Sequence, residues 1–142
     1  MPPLASIGKR FVAFIIDTAI LMAVFLLIVS HLKPAAAVIM TIVTLCYFAF
    51  FESSKYRGTP GKIAFGLEVT DLEGKPISWK KALLRAVIKG LVFLMKPPLT
   101  FLGLIGVIGF VFSFFTEKKQ ALHDILAKTL VVENIKDAEV KE

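Results

Sequence analysis

The chain has 142 residues, of which 56% are hydrophobic and 13 are phenylalanine, and its net charge is +6. Soluble domains contain roughly 45–50% apolar residues, so this composition predicts one membrane-embedded domain over residues 1–142 and argues against a soluble protein. Basic residues interleaved with long apolar runs favour the lipid bilayer, with its anionic lipids, over nucleic acid as a partner. The single cysteine, Cys46, excludes an intrachain disulfide.

The first apolar run, residues 11–30, is long enough to cross a bilayer as a helix. Asp17 lies inside this run, and a carboxylate at mid-helix costs about 2.5–3.5 kcal/mol in lipid. This cost predicts either a partner for Asp17 or contact with water. A cleaved signal peptide is the alternative interpretation, but the aspartate and the second apolar run that follows favour a retained span.

The second run, residues 34–51, is just long enough to span, and a tight connection joins it to the first run as a helical hairpin. Residues 52–78 form a polar cytoplasmic loop rich in glycine and proline. Within it, "LEVTDLEGKPIS" alternates apolar and polar residues around a turn at Asp71–Gly74, which predicts a short β-hairpin. Glu52 stands where the span meets this loop, and its position alone predicts a solvated boundary residue.

Two more apolar segments follow, at residues 79–96 and 98–115. Lys81, Arg85 and Lys89 recur every four residues in the first of them and therefore share one helix face. The fold class that follows is an all-α membrane protein: a four-helix transmembrane bundle with a small cytoplasmic β-hairpin or sheet.

The cytoplasmic tail, residues 116–142, contains the amphipathic stretch "QALHDIL" and becomes strand-like over Thr129–Glu133. Leu67–Thr70 is similarly short and rich in β-branched residues, and it is expected on the same side of the membrane. The two segments are therefore predicted to pair as strands. Asp124 lies beside the apolar face of the amphipathic stretch, and the alternative to a functional or network role is a solvated aspartate on an interfacial helix.

The distribution of basic residues predicts the topology. With four spans and a cytoplasmic N-terminus, only Lys33 and Lys96 lie outside, and the other 15 of the 17 lysines and arginines lie inside or in the inner halves of spans. The alternative has three spans, with residues 79–95 lying flat as an interfacial amphipathic helix, and it places the basic tail outside. The charge rule therefore favours four spans with both termini cytoplasmic.

Asp17 is expected to face the helix bundle, because a carboxylate that points into hydrocarbon is too costly. Its first-ranked partner is Arg85, with Lys89 or Arg10 as alternatives, and Asp124 should approach the same basic group from the cytoplasmic side. Two interpretations remain open: an ion or proton site, or a polar lock that fixes helix packing. The candidate residues for either role are Arg10, Asp17, Glu52, Arg85 and Asp124.

Basic residues outside the spans are predicted to form an inner surface that binds anionic lipid headgroups. The motif "GTPGK" resembles a phosphate loop but lacks the required spacing and the hydroxyl residue after the lysine. Its Lys62 is instead expected to face headgroups or a carboxylate. The headgroup-binding candidates are Lys62, Lys80, Lys81, Lys118 and Lys119.

The sequence carries no pattern typical of catalysis. His31 and His123 are far apart and on opposite sides of the predicted membrane, which argues against a shared metal site. No histidine stands near the loop serines to activate them as nucleophiles. The protein is therefore expected not to be an enzyme and to use no cofactor.

Several motifs in order resemble the RDD family of small prokaryotic membrane proteins. They are Arg10 and Asp17 in the first span, "YFAFFE" at the end of the second, "GTPGKIAFGLEVTDLEGKPIS", "ALLRAVI" and "LHDILAKTLVV". The family's name refers to one arginine and two aspartates, and the resemblance assigns these to Arg10, Asp17 and Asp124. Lys128 departs from the family pattern, which usually has glycine there.

The resemblance implies a polytopic protein of the prokaryotic inner membrane whose activity is uncertain; transport has been suggested, with cation–proton exchange for some members. One hypothesis is a transporter or transporter subunit that uses Asp17 and oligomerises, because four short spans form a poor pathway alone. The other is a membrane scaffold or assembly factor that binds a partner membrane protein or anionic lipid. A coupling site needs water access to Asp17, whereas a lock needs Asp17 sealed.

Overall fold

A computed structural model of the chain describes residues 2–32, 35–94 and 111–134. Five helices and two strands have full bounds in these ranges, and residues 111–115 are also helical. In chain order the elements are α1 (Ile7–His31), α2 (Ala36–Ser53), α3 (Pro60–Ile63), β1 (Leu67–Asp71), α4 (Trp79–Leu94), α5 (Leu122–Leu126) and β2 (Thr129–Glu133).

The first two predicted spans are long apolar helices. α1 has 25 residues and α2 has 18, and both are long and apolar enough to cross a membrane. Ser6 is the N-cap residue of α1, and its hydroxyl accepts a hydrogen bond from the Lys9 backbone N–H at 3.3 Å, which satisfies one free donor of the first turn. α2 extends two residues beyond the end of the predicted span, and this places Glu52 inside the helix.

The four-helix bundle is only partly supported. α4 occupies the predicted third segment but has 16 residues, and in the described ranges the candidate spans are α1 and α2. The predicted fourth segment lies outside the described residues except for residues 111–115, which are helical. The architecture that the structure supports is a mostly helical chain with two candidate membrane-spanning helices and a small antiparallel sheet.

The two strands pair as predicted. β1 and β2 run antiparallel, in a register that places Leu67 opposite Glu133 and Asp71 opposite Thr129. The N-terminal segment extends the sheet, because the Ala5 backbone N–H donates to the Val131 carbonyl at 3.0 Å. The sheet thus joins the start of α1 to two segments that are distant in sequence.

The predicted β-hairpin at Asp71–Gly74 is wrong in its second strand. The turn itself forms: the Asp71 carboxylate accepts backbone N–H groups from Glu73 and Lys75 at 3.0 and 2.8 Å. Beyond the turn, however, a single bridge joins Thr70 and Pro76. Proline has no N–H to continue a ladder, so the chain leaves the sheet there and β1 pairs with β2 instead.

The helices bury polar and small residues and expose large apolar ones. α1 buries Arg10, Ala13 and Asp17 and exposes Phe11 and Phe14. α4 similarly buries Ala82, Arg85 and Ala86, whereas Trp79, Leu83, Leu84 and Val87 are exposed. This arrangement is the reverse of a soluble helix and is typical of helices surrounded by lipid.

Candidate functional site

The Asp17 carboxylate lies in a closed pocket of neutral donors. Asp17 is 2% exposed. Its Oδ1 accepts hydrogen bonds from the Tyr47 hydroxyl at 2.8 Å and from the Gly61 backbone N–H at 2.9 Å. Its Oδ2 accepts from the Thr59 hydroxyl at 2.5 Å. We call Asp17 with Tyr47, Thr59 and Gly61 the Asp17 site.

The loop before α3 is shaped to reach this carboxylate. Thr59 is the N-cap residue of α3, and Pro60 occupies the first helical position, where its missing N–H is no loss. The next N–H, that of Gly61, points at Asp17, so the aspartate caps α3 from another helix. A Cβ at Gly61 would lie 2.2 Å from the Ala13 carbonyl oxygen, so only glycine allows this approach.

The predicted ion pair of Asp17 is therefore wrong. None of the ion pairs among the described residues includes Asp17. Three neutral donors satisfy the charge without the desolvation of a second ion. The prediction that Asp17 faces the protein interior is confirmed, because the residue is buried. Tyr47, Thr59 and Gly61 were missed as partners of Asp17. The threonine followed by proline and glycine indicates the start of a helix with free N–H groups, but it does not indicate which acceptor binds them.

A second cluster of buried groups, which we call the charged network, lies around Arg85. Its members come from five helices and are Arg10, Glu52, Lys62, Arg85, Lys89 and Asp124. Arg85 is fully buried and bridges the two carboxylates: its Nε donates to Glu52 at 2.8 Å, and its Nη1 donates to Asp124 and to the Thr129 hydroxyl. The network thereby ties α2 and α4 to the C-terminal segment that carries Asp124 and Thr129.

Asp124 is the point where the two arginines meet. Its Oδ2 accepts from Arg10 Nη2 and, at 3.0 Å, from the Ala121 backbone N–H, so it also closes the first turn of α5. Arg85 contacts Oδ1. Burial raises the pKa of Asp124, but the positive charges of Arg85 and Arg10 outweigh burial and hold that pKa well below its ordinary value. Asp124 is fully buried, so the prediction that it approaches the arginines is confirmed and the solvated alternative is wrong.

Glu52 is the second carboxylate of the charged network and is also fully buried. Lys62 and Lys89 both donate to its Oε1, at 2.5 and 2.8 Å, while Arg85 contacts its Oε2. Lys89 also lies over the Phe48 ring, 4.2 Å from the centroid, a cation–π contact. The predicted solvated Glu52 is wrong, because the stripe of Arg85 and Lys89 packs against α2 and needs a counter-charge.

The structure thus brings together Arg10, Arg85 and Asp124 as predicted, adds Glu52, and leaves Asp17 in a separate site. Four positive groups face two carboxylates, an excess of two positive charges. The described residues contain no group of His, Cys, Asp and Glu side chains that could hold a metal ion.

The structure separates Lys62 from the other four lysines of the predicted basic surface. Lys62 contacts a carboxylate, the second of its two expected partners, and belongs to the charged network. Lys80 and Lys118 are exposed, and Lys81 and Lys119 are partly exposed. The backbone carbonyl of Lys119 also accepts a hydrogen bond from Arg10. The binding of these lysines to lipid headgroups stays a prediction.

The apolar exterior, the two long apolar helices and the charged interior are together the features of a helical membrane protein. The chain belongs to the RDD family: the sequence profile described as "RDD family" matches residues 4–128. The resemblance seen in the sequence motifs is confirmed by this match.

One relative with a curated description is the "Uncharacterized protein YxaI" of Bacillus subtilis (strain 168). It is 34% identical over 94 residues, which are 66% of this chain and 55% of the relative. The chain therefore spans about half the length of that relative. No solved structure matches the chain.

Proposed function

We propose that the protein is a non-enzymatic membrane scaffold or assembly factor, in which buried polar groups hold one conformation and the outer face binds a partner membrane protein. The observation that carries this proposal is the closed Asp17 site. A carboxylate that carries a cation or proton must exchange with water, whereas a lock must stay sealed. Asp17 is 2% exposed, and both of its oxygens already accept hydrogen bonds.

The charged network supports the same role. Arg85 contacts a carboxylate on α2 and another on α5, so one side chain holds three helices in register. Buried ion pairs of this kind fix geometry more than they add stability. A rigid framework suits a protein that acts by presenting a surface.

The partner surface that we propose is the exposed apolar face of the two long helices, exemplified by Leu27 on α1 and by Val38 and Phe50 on α2. Helices in lipid associate by close packing and by interhelical hydrogen bonds, so the partner is a helical membrane protein or a second copy of this chain. The proposed location is the prokaryotic inner membrane with both termini cytoplasmic, which the distribution of lysines and arginines supports.

Ion flux in proteoliposomes and thermal unfolding in detergent test the proposal together. We expect the wild type to give no more flux than protein-free liposomes, and Asp17→Asn to lower Tm. Glu73→Gln, which removes one charge from an exposed turn, is the control and should leave Tm unchanged. Flux in the wild type that Asp17→Asn abolishes at an unchanged Tm would refute the scaffold proposal. Site-specific photocrosslinking from position 27 in cells then identifies the partner.

A second candidate is cation- or proton-coupled transport through the charged network, and the crowding at Glu52 favours it. Two lysine ammonium groups share one carboxylate oxygen, so like charges are crowded at this buried carboxylate. The side chains of Lys62 and Lys89 are 12% and 14% exposed, so water reaches them more readily than it reaches Glu52.

Flux driven by an imposed pH gradient tests this candidate with Lys89→Gln. Transport predicts that the variant loses flux at an unchanged Tm, while Lys75→Gln, at an exposed turn, behaves as the wild type. Equal flux in Lys89→Gln and the wild type would rule out Lys89 as the coupling group.

A further inference from the structure

The short helix α5 is apolar outside and charged inside. Leu122, Ile125 and Leu126 are 42%, 39% and 55% exposed. Their spacing of three and four residues places them on one face. The opposite face is buried and carries the charge of Asp124. A helix that faces water shows the reverse pattern, so the exposed face of α5 is suited to an apolar medium.

The charged network fixes where this face lies. Asp124 contacts Arg10, which is in the second turn of α1, and Arg85 on α4. Immediately after Arg10, α1 exposes the apolar side chains of Phe11, Phe14 and Ile15. α5 is therefore held at the N-terminal end of α1, next to apolar side chains that this helix exposes.

Basic residues flank α5 on both sides. Lys118 and Lys128 are exposed, before and after the helix, and Lys119 is partly exposed. The backbone turns at two of these positions, because Lys119 and Lys128 have φ values of 48° and 53°. An apolar helical face with lysines at its margins is typical of elements that lie in the interface of an anionic bilayer.

We propose that α5 is a membrane-interface anchor: Leu122, Ile125 and Leu126 insert among the acyl chains next to the headgroups, and Lys118 and Lys128 contact anionic headgroups. The flanking positive charge selects a lipid surface, rather than a second copy of this basic chain, as the occupant. The proposal goes beyond the scaffold role and applies equally to a transporter. It places this part of the cytoplasmic tail at the membrane surface.

Depth-dependent fluorescence quenching in bilayers tests the proposal with the full-length chain. Trp79 is the single tryptophan, so Trp79→Phe provides a dark background. In this background Leu126→Trp should show blue-shifted emission that is quenched by lipids brominated near the ester end of the acyl chain. Leu122→Trp is a second probe of the same face. Glu73→Trp, at an exposed turn, is the matched control and should show emission typical of water without quenching.

Lipid charge provides the second readout. Quenching at position 126 should be stronger in bilayers of phosphatidylglycerol than of phosphatidylcholine, and Lys118→Gln with Lys128→Gln should remove the difference, whereas Lys75→Gln should not. Emission at positions 122 and 126 that matches the Glu73→Trp control would overturn the proposal. Blue-shifted but unquenched emission would also overturn it, because the face would then be covered by protein.

Discussion

Replacing Gly61 with alanine tests whether close approach of the loop to Asp17 holds the Asp17 site together. The added Cβ would lie 2.2 Å from the Ala13 carbonyl oxygen and 2.9 Å from the Asp17 carboxylate. Ordinary contact begins at 3.4 Å, so the α3 backbone must move away from α1 by about 1.2 Å.

This displacement is enough to break the hydrogen bond from the Gly61 N–H to Asp17, which is 2.9 Å long and would approach 4 Å. Hydrogen bonds to a charged group contribute about 1.5–3 kcal/mol each. The Thr59 hydroxyl is one residue from the helix start and moves with it. We therefore expect Gly61→Ala to lower the free energy of unfolding by about 2–4 kcal/mol.

The assay is thermal unfolding of the purified protein in detergent, followed by far-ultraviolet circular dichroism. Gly8→Ala is the matched control, because it is the same substitution at a helical position with nothing within 4 Å of the added Cβ. This control should be neutral or stabilise by up to about 1 kcal/mol through helix propensity. If Gly61→Ala were as stable as Gly8→Ala, the close approach would not hold the site together.

Three further predictions concern the charged network and the turn beside it. Asp124→Asn and Arg85→Gln should show a coupling free energy of about 0.5–3 kcal/mol in a double-mutant cycle, because the two side chains form an ion pair. Asp17→Asn and Arg85→Gln should have additive effects on unfolding, because Asp17 lies outside the network. Unfolding of the single and double variants measures both couplings, and coupling in the second pair would contradict the geometry. Lys128→Gly should raise stability by up to about 1 kcal/mol, since Lys128 has a φ of 53°, and an unchanged or lower Tm would argue against strain there. The stability contributed by Asp124 should be fully present above about pH 4 and should fall as the pH drops towards the lowered pKa of Asp124. The reason is that, in this pH range, the unfolded chain binds the proton more readily than the folded chain. A Tm difference between wild type and Asp124→Asn that does not shrink with acid would refute this.

The departure of Lys128 from the family pattern becomes intelligible in the structure. The left-handed backbone there is the conformation that glycine adopts most readily. The turn forms even with lysine, because the N–H groups of Ala127 and Lys128 donate to carbonyls of the preceding helix at 3.2 and 3.1 Å. Lysine at this position therefore adopts a backbone conformation that costs energy for a residue with a Cβ.

Part of the charged network could be predicted, because basic residues recur every four positions on one face of α4. Arg85 and Lys89 form a stripe that requires a counter-charge, and Asp124 was expected to approach this basic group from the cytoplasmic side. Glu52 was assigned to solvent because its position at the end of a span is compatible with either environment. Its burial depends on α4 packing against α2, which only the tertiary structure decides.

The sequence by itself determined the local elements: the two long apolar helices, the pairing of two short β-branched strands, and the motifs that identify the family. These depend on composition and periodicity within short stretches. The partner of Asp17 was decided by tertiary structure alone. Charge alone ranks an arginine first as the partner of the Asp17 carboxylate. Thr59 and Gly61 lie more than 40 residues away in sequence, and they reach the carboxylate because the glycine lets the backbone of α3 approach that of α1 closely. Neutral donors then satisfy the charge without burying a second ion.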